Sequence, residues 1–421
     1  MDDLEQELHR SDSSDDESPT REKEPKLPLV KSIFVETSKE NGLHKSTKIC
    51  SEKIREAMLH HRWQEAAEYM ACYMQILQDP SKDKVPRIRE YVWRIATEIL
   101  HHHPNSKMED YNTIYEQMKN FGVRNYLMIS LEHSFYLLLN GQIEDAKRQL
   151  SVAESWRYGK ESAAQYNTAK LIQAYRGLLD YILWCNRKHS DTDNSDASSI
   201  QDISSYFRQA SVNLKQILKQ PGIWDTFILS YVDMLEFYED HEEALKVLKD
   251  YAYDNTFPPN PNAHVYLYQY LKRHDTPEKK LINVLKGLQV LVPSHELMLE
   301  YSSLLLLSGQ SADLQSALDV ILGMLDFRCW SCSLDVWKCL QSIIQKLQCQ
   351  NDWKETVSLK MASRADWWPA LHFTSFHAQK DFEENPELME VKMLLVTILS
   401  PDKMLNYTKV CSREHKRRRR T

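Results

Sequence analysis

Cys329 and Cys332 hold the C-x-x-C spacing with which two thiolates grip one metal ion or form a redox pair, and Cys339 and Cys349 follow them. A structural zinc site wants a second close pair on a rigid knuckle. The later cysteines lie too far apart, within an expected helix, so all four read as small buried hydrophobes. His101, His102 and His103 are consecutive, so on a helix their imidazoles point around the axis and not at one metal. A helix C-terminus, where cations meet the macrodipole, suits them. Asp191, Asp193 and Ser195 imitate the start of a calcium loop, but Asp196 stands where glycine must turn the chain and Asp202 where a bidentate Glu belongs. Neither a phosphate-cradling glycine loop nor G-x-S-x-G nor H-E-x-x-H occurs. These residues carry no enzyme signature and imply no metal and no cofactor.

What would position any functional side chain is a recurring helix-break-helix. The break runs Leu59-His60-His61-Arg62-Trp63-Gln64-Glu65-Ala66, then Leu139-Asn140-Gly141-Gln142-Ile143-Glu144-Asp145-Ala146, then Tyr238-Glu239-Asp240-His241-Glu242-Glu243-Ala244, and more loosely Leu307-Ser308-Gly309 through Ala317. A small Ala on the second helix lets the first pack at close range, and such a hairpin buries its other face only against a neighbour. The marker alanines fall at unequal intervals, so no fixed repeat of ~34 residues is expected. The fold class this predicts is all-α, a degenerate tetratricopeptide-like helical-repeat solenoid with disordered tails. Only 9 of 421 residues are glycine, which argues against hairpin-rich β structure. The 10 Trp and 21 Tyr fit the seams between stacked hairpins.

The periodicity predicts helix pairs over 46–78, 88–121, 126–156, 163–219, 223–253, 262–292 and 295–326, with a more aromatic region over 333–410. Together these form one helical-repeat domain over 46–410. Inside it, 190–200 reads as a mobile loop, because Ser190 to Ser199 is low-complexity and polar.

The ends differ in charge. Residues 1–45 form an acidic, polar tail in which Ser13 and Ser14 each precede an acid by three positions, at Asp16 and Glu17, as an acidophilic kinase requires. Residues 411–421 form a basic tail in which Lys416, Arg417, Arg418, Arg419 and Arg420 are consecutive and suit phosphate contact or nuclear import. Net charge is -7, the cysteines are scattered, and no apolar run approaches the roughly 20 residues of a bilayer crossing. The expected setting is reducing cytosol or nucleus, with no membrane. Asp366-Trp367-Trp368-Pro369-Ala370-Leu371-His372-Phe373 has two readings: a cluster capping the stack, or exposed partner anchors at Trp367, Trp368 and Phe373.

Several strings are specific. They are Trp63-Gln64-Glu65-Ala66-Ala67-Glu68-Tyr69-Met70, Pro221-Gly222-Ile223-Trp224-Asp225 with Tyr231-Val232-Asp233-Met234-Leu235-Glu236-Phe237-Tyr238, Pro259-Asn260-Pro261-Asn262-Ala263-His264, Val292-Pro293-Ser294-His295-Glu296, and Trp367-Trp368-Pro369. With them the chain resembles, over about 46–385, the A subunit of the TATA-box-binding-protein-associated factors of RNA polymerase I. That resemblance implies a non-catalytic component of selectivity factor 1, acting in the nucleus and nucleolus. The partners it implies are TATA-box-binding protein and the other polymerase-I-specific associated factors. Upstream binding factor, RNA polymerase I and ribosomal RNA gene promoter DNA would be met through the complex. The rival expectation is a helical-repeat scaffold in ribosomal RNA processing.

Overall fold

The computed structural model describes residues 42–77, 86–121, 125–157, 163–190, 197–399 and 407–410. All regular structure among the described residues is helical, with no strand, so the all-α helical-repeat class is the one observed. The chain falls into two compact units, one ending at Met118 and one beginning at Lys119.

The first unit opens with a hairpin of α1 (Gly42–Leu59) and α2 (Trp63–Leu77). Ala66 has no exposed surface and Ala57 almost none, so the two backbones approach through small residues as expected. Helices α3 (Pro86–His102) and α4 (Met108–Phe121) follow; Pro104 and Asn105 form the turn between them. The Trp63 ring stacks on His102 at 4.5 Å, and the side chains of His103 and Gln64 hydrogen-bond at 2.7 Å. His102 and His103 thus pack against the neighbouring hairpin, while the His101 and His102 rings meet edge-on at 5.1 Å.

In the second unit α5 (Tyr126–Leu139) pairs with α6 (Ile143–Ser155), α7 (Ala163–Ser190) with α8 (Ala197–Ile217), α9 (Asp225–Phe237) with α10 (His241–Tyr253), α11 (Pro261–Arg273) with α12 (Glu278–Leu291), and α13 (Leu297–Ser308) with α14 (Ser311–Leu325). Helices α15 (Leu334–Leu347), α16 (Trp353–Ala362), α17 (Trp368–His372), α18 (Ser375–Glu384) and α19 (Pro386–Leu399) resolve the aromatic region. Within the segment expected as a loop over 190–200, Ser190 and residues from Ala197 onward are helical, and residues 191–196 lie outside the described residues. None of the described helices is long and apolar enough to cross a membrane.

The breaks share one backbone device. His61, Gly141 and Glu239 each adopt a left-handed conformation, with φ of 55°, 74° and 58°. The next residue's N–H then reaches back five positions, Arg62 to the Ala57 carbonyl at 2.8 Å, Gln142 to Leu137 at 2.9 Å and Asp240 to Leu235 at 2.9 Å. That is the Schellman closure, which satisfies carbonyls the helix end would otherwise orphan. Ala66, Ala146 and Ala244 each follow their left-handed residue at the same distance, and all three are fully buried, as is Ala317. A fifth break, at Asp275 with φ 46°, closes the same way through Thr276 to Leu271, with no small residue to announce it.

The hairpins stack with their first helices parallel. Thr168 hydrogen-bonds the Met128 sulfur, an offset of 40 residues, and Phe135 meets Tyr175 edge-on at 4.7 Å with the same offset. Tyr181 donates to Asp233 across 52 residues, and Tyr175 meets Phe227 likewise. Asn262 reaches Asp225, and Arg273 reaches Glu236, both across 37 residues. A constant offset within each pair means that α5, α7, α9 and α11 run in the same direction and in register.

Candidate partner interface

The parallel helices α5, α7, α9 and α11 present one face that the described residues of the second unit do not cover. Along it Phe135 and Leu139 on α5, Ile182 on α7, and Leu229 and Phe237 on α9 are exposed. An exposed Leu taken singly is ordinary, but exposed apolar side chains repeated on successive parallel helices make a surface other molecules use. Between the strips the Tyr181 hydroxyl donates to Asp233 at 2.9 Å. Burial, with the hydrogen bonds to Cys185 and Asp233, raises the Tyr181 phenol above its ordinary range, so it remains a neutral donor that ties α7 to α9.

Three of the strings that carry the resemblance turn out to be joints. Asp225 opens α9, where a carboxylate meets the positive end of the helix. Its Oδ1 accepts from Tyr251 at 2.8 Å and Asn260 at 2.6 Å, and its Oδ2 accepts from Asn262 at 2.8 Å. The Tyr251 oxygen in turn accepts the Trp224 backbone N–H at 2.7 Å. Burial foremost, and the adjoining Asp225 carboxylate besides, hold the Tyr251 phenol above its usual range. Pro221–Asp225 and Pro259–Asn262 are thus two halves of one polar clasp. The third string behaves alike, with the Ser294 carbonyl accepting the Trp330 indole N–H at 2.8 Å.

Of the three residues read either as a capping cluster or as exposed anchors, Trp368 and Phe373 are buried, while Trp367 is 41% exposed. Trp368 lies edge-on to Trp337 at 6.2 Å and donates its indole N–H to Asp326 at 2.7 Å, beside the paired Arg364 guanidinium at 2.6 Å. Phe373 packs between Trp337 and Tyr407. The reading as a capping cluster is the one the packing supports. Beneath it Lys392 and Tyr407 both donate to Asp381 Oδ2, at 2.8 and 2.9 Å, and the Lys392 ammonium lies over the Trp337 ring at 5.2 Å. The His372 imidazole bonds the Leu325 carbonyl at 2.9 Å. Burial, aided by the nearby Lys392 charge, depresses its pKa from 6.5 to about 4, so it is neutral at physiological pH.

The cysteine set is not brought together. Cys339 is partly buried against the Ser302 hydroxyl at 3.1 Å, whereas Cys329, Cys332 and Cys349 are exposed, against the expectation of buried hydrophobes. Their turns sit at helix ends, which leaves their side chains in solvent. Among the described residues no three His, Cys, Asp or Glu side chains converge as a metal site would require. Ser13, Ser14 and Lys416 to Arg420 lie outside the described residues. The joints at Asp225 and Asp326 were missed from sequence: Asp225 opens one helix and Asp326 caps the end of another, and neither position announces its distant Asn or Trp partner.

The family model for the A subunit of the RNA polymerase I TAFs matches residues 56–412. The A subunit of the RNA polymerase I TATA box-binding protein-associated factors from Homo sapiens is 41% identical over 88% of this chain and 83% of its own length. The protein of the same description from Mus musculus is 42% identical over 88% and 83%. Among solved structures, the one described as Naa15/Naa10 bound to HypK-THB aligns with 85% of this chain and 64% of that one at 10% identity, with a TM-score of 0.29. The yeast Tom70 crystal structure covers 84% and 76% at 11% identity with a TM-score of 0.22. Scores this low say nothing about what the chain binds.

Proposed function

The chain belongs to the family of the RNA polymerase I TAF A subunit, and from that premise we propose that it is a non-catalytic scaffold component of selectivity factor 1. In this role it binds TATA-box-binding protein and the other polymerase-I-specific associated factors. Through the assembled complex it supports the meeting of RNA polymerase I and upstream binding factor at the ribosomal RNA gene promoter, in the nucleolus. The observation that carries the reading is the face of α5, α7 and α9, parallel, in register and carrying exposed apolar side chains, which offers many modest contacts over a long surface. The tail from Lys416 to Arg420 supplies phosphate contact to the assembly or a nuclear-import signal. Trp367 is the remaining exposed candidate anchor at the capping end.

The test is a tagged pulldown of the full chain from nuclear extract, probed for TATA-box-binding protein and ribosomal promoter DNA. Recovery of both, with polymerase I factors, supports the reading. Recovery of pre-ribosomal RNA without TATA-box-binding protein moves the chain to a ribosomal RNA processing scaffold.

A further inference from the structure

We infer that the strip from Leu139 through Ile182 to Phe237 receives an amphipathic helix of another protein in the complex, apolar on one side and rich in Lys or Arg at the end that meets the α9–α10 turn. This deepens the scaffold reading and rests on it. Leu139 is 86% exposed at the end of α5, and Phe237 is 45% exposed at the end of α9. Ile182 lies between them on α7, one residue from the Tyr181 that bonds Asp233. Neighbouring packed helices stand about 8–10 Å apart, so the strip crosses roughly 20 Å. A helix rising about 1.5 Å per residue covers that in about 13 residues.

Charge selects the occupant. Residues 233–243 hold Asp233, Glu236, Glu239, Asp240, Glu242 and Glu243, with no Lys or Arg among them. Arg273 and His274 engage Glu236, and Lys215 engages Glu243. Glu239, Asp240 and Glu242 are exposed and make no ion pair among the described residues. The cation facing the strip is Lys188, whose ammonium sits 4.3 Å over the Phe237 ring. That contact shows that this edge accepts a cation against an aromatic face. An acidic helix or a nucleic-acid backbone would meet three uncompensated carboxylates; a basic helix would neutralise them.

The experiment places a photo-crosslinking phenylalanine at Ile182 of the full chain, within the assembled TATA-box-binding-protein complex, and sequences the captured peptide by mass spectrometry. The comparison variant is E239G/D240N/E242Q. It keeps the fold because glycine accepts φ of 58° at 239 and Asn retains the side-chain oxygen that Glu243 N–H donates to. The expected result is a captured segment with an apolar helical stripe and Lys or Arg at one end, its yield falling about fivefold in the variant. Yield in the original chain should fall as salt rises from about 0.1 to 0.5 M. Capture of an acidic segment, of nucleic acid or of a second copy of this chain overturns the inference, as does an unchanged yield in the variant. If the complex assembles and Ile182 captures nothing, the inference fails while the scaffold reading stands; if the chain does not enter the complex, both fail.

Discussion

Asn260 donates its side-chain amide to Asp225 at 2.6 Å across thirty-five residues of sequence, and so clasps the start of α11 to the start of α9. Asp225 is the shared acceptor for Tyr251, Asn260 and Asn262. Asp225→Ala should therefore cost about 2–4 kcal/mol, because the buried Tyr251 and Asn260 donors lose their acceptor together. Asn262→Ala, at an exposed position, should cost under about 1 kcal/mol. Urea titration of the purified chain checks both, and equal losses in the two variants would contradict a clasp centred on the carboxylate.

Lys392 and Asp381 are both essentially inaccessible to solvent. Lys392→Met leaves the carboxylate in an apolar core with Tyr407 as its remaining donor, and should cost about 3–5 kcal/mol. The double variant K392M/D381N carries no stranded charge and keeps an acceptor for Tyr407. It should recover at least half of the loss, read from the same denaturation curves.

His372 gives the capping cluster a pH dependence. Its folded pKa, about 4, lies below the ordinary 6.5, so the unfolded chain takes the proton first. The stability this contributes is fully present above about 6.5, declines as pH falls, and is lost once pH passes through about 4, for a total of roughly 3 kcal/mol. His372→Gln should flatten the stability profile between these limits. An unaltered slope, measured by thermal melts across the window, would assign the dependence elsewhere.

Left-handed breaks give opposite responses to the same kind of change. Gly141 has φ of 74° and open space around an added Cβ, so Gly141→Ala meets only backbone strain, about 1–2 kcal/mol. Glu239→Gly relieves such strain at φ 58° while adding unfolded-state entropy, for a net gain of about 0.5 kcal/mol. Melting temperatures should move in opposite directions.

Replacing Arg417 to Arg420 with Ala should reduce nuclear accumulation or promoter retention while leaving assembly intact. If the tail grips DNA phosphates, the salt dependence of promoter binding should also flatten, by about 3–4 in log-log slope. Import, retention and slope all unchanged would make the tail a solubilising end.

Most of the architecture was legible because helical hairpins write themselves locally. An αL break closes within six residues and the small residue that lets the helices touch lies just beyond it, as at Gly141 and Ala146. The break at Asp275 escaped because Lys279, Lys280 and Leu281 follow it where the pattern puts Ala. The joints were illegible for a different reason. Asp225 and Asn260 each look like ordinary helix-start punctuation, and nothing local says that one receives the other. Trp368 and Phe373 show the limit of composition: a dense aromatic string is equally fit for a core or a surface, and the Asp326 carboxylate that draws Trp368 inward is forty-two residues away.

The offsets between successive parallel helices, 40, then 52, then 37 residues, differ although the contacts they produce are alike. Phase and length are therefore decoupled in this chain. A residue inserted inside α9 would rotate every later side chain off its partner, whereas one inserted in a connecting segment alters only the count. Such a molecule can drift in length from hairpin to hairpin without unseating its clasps, and can lose a readable repeat period while keeping the repeat.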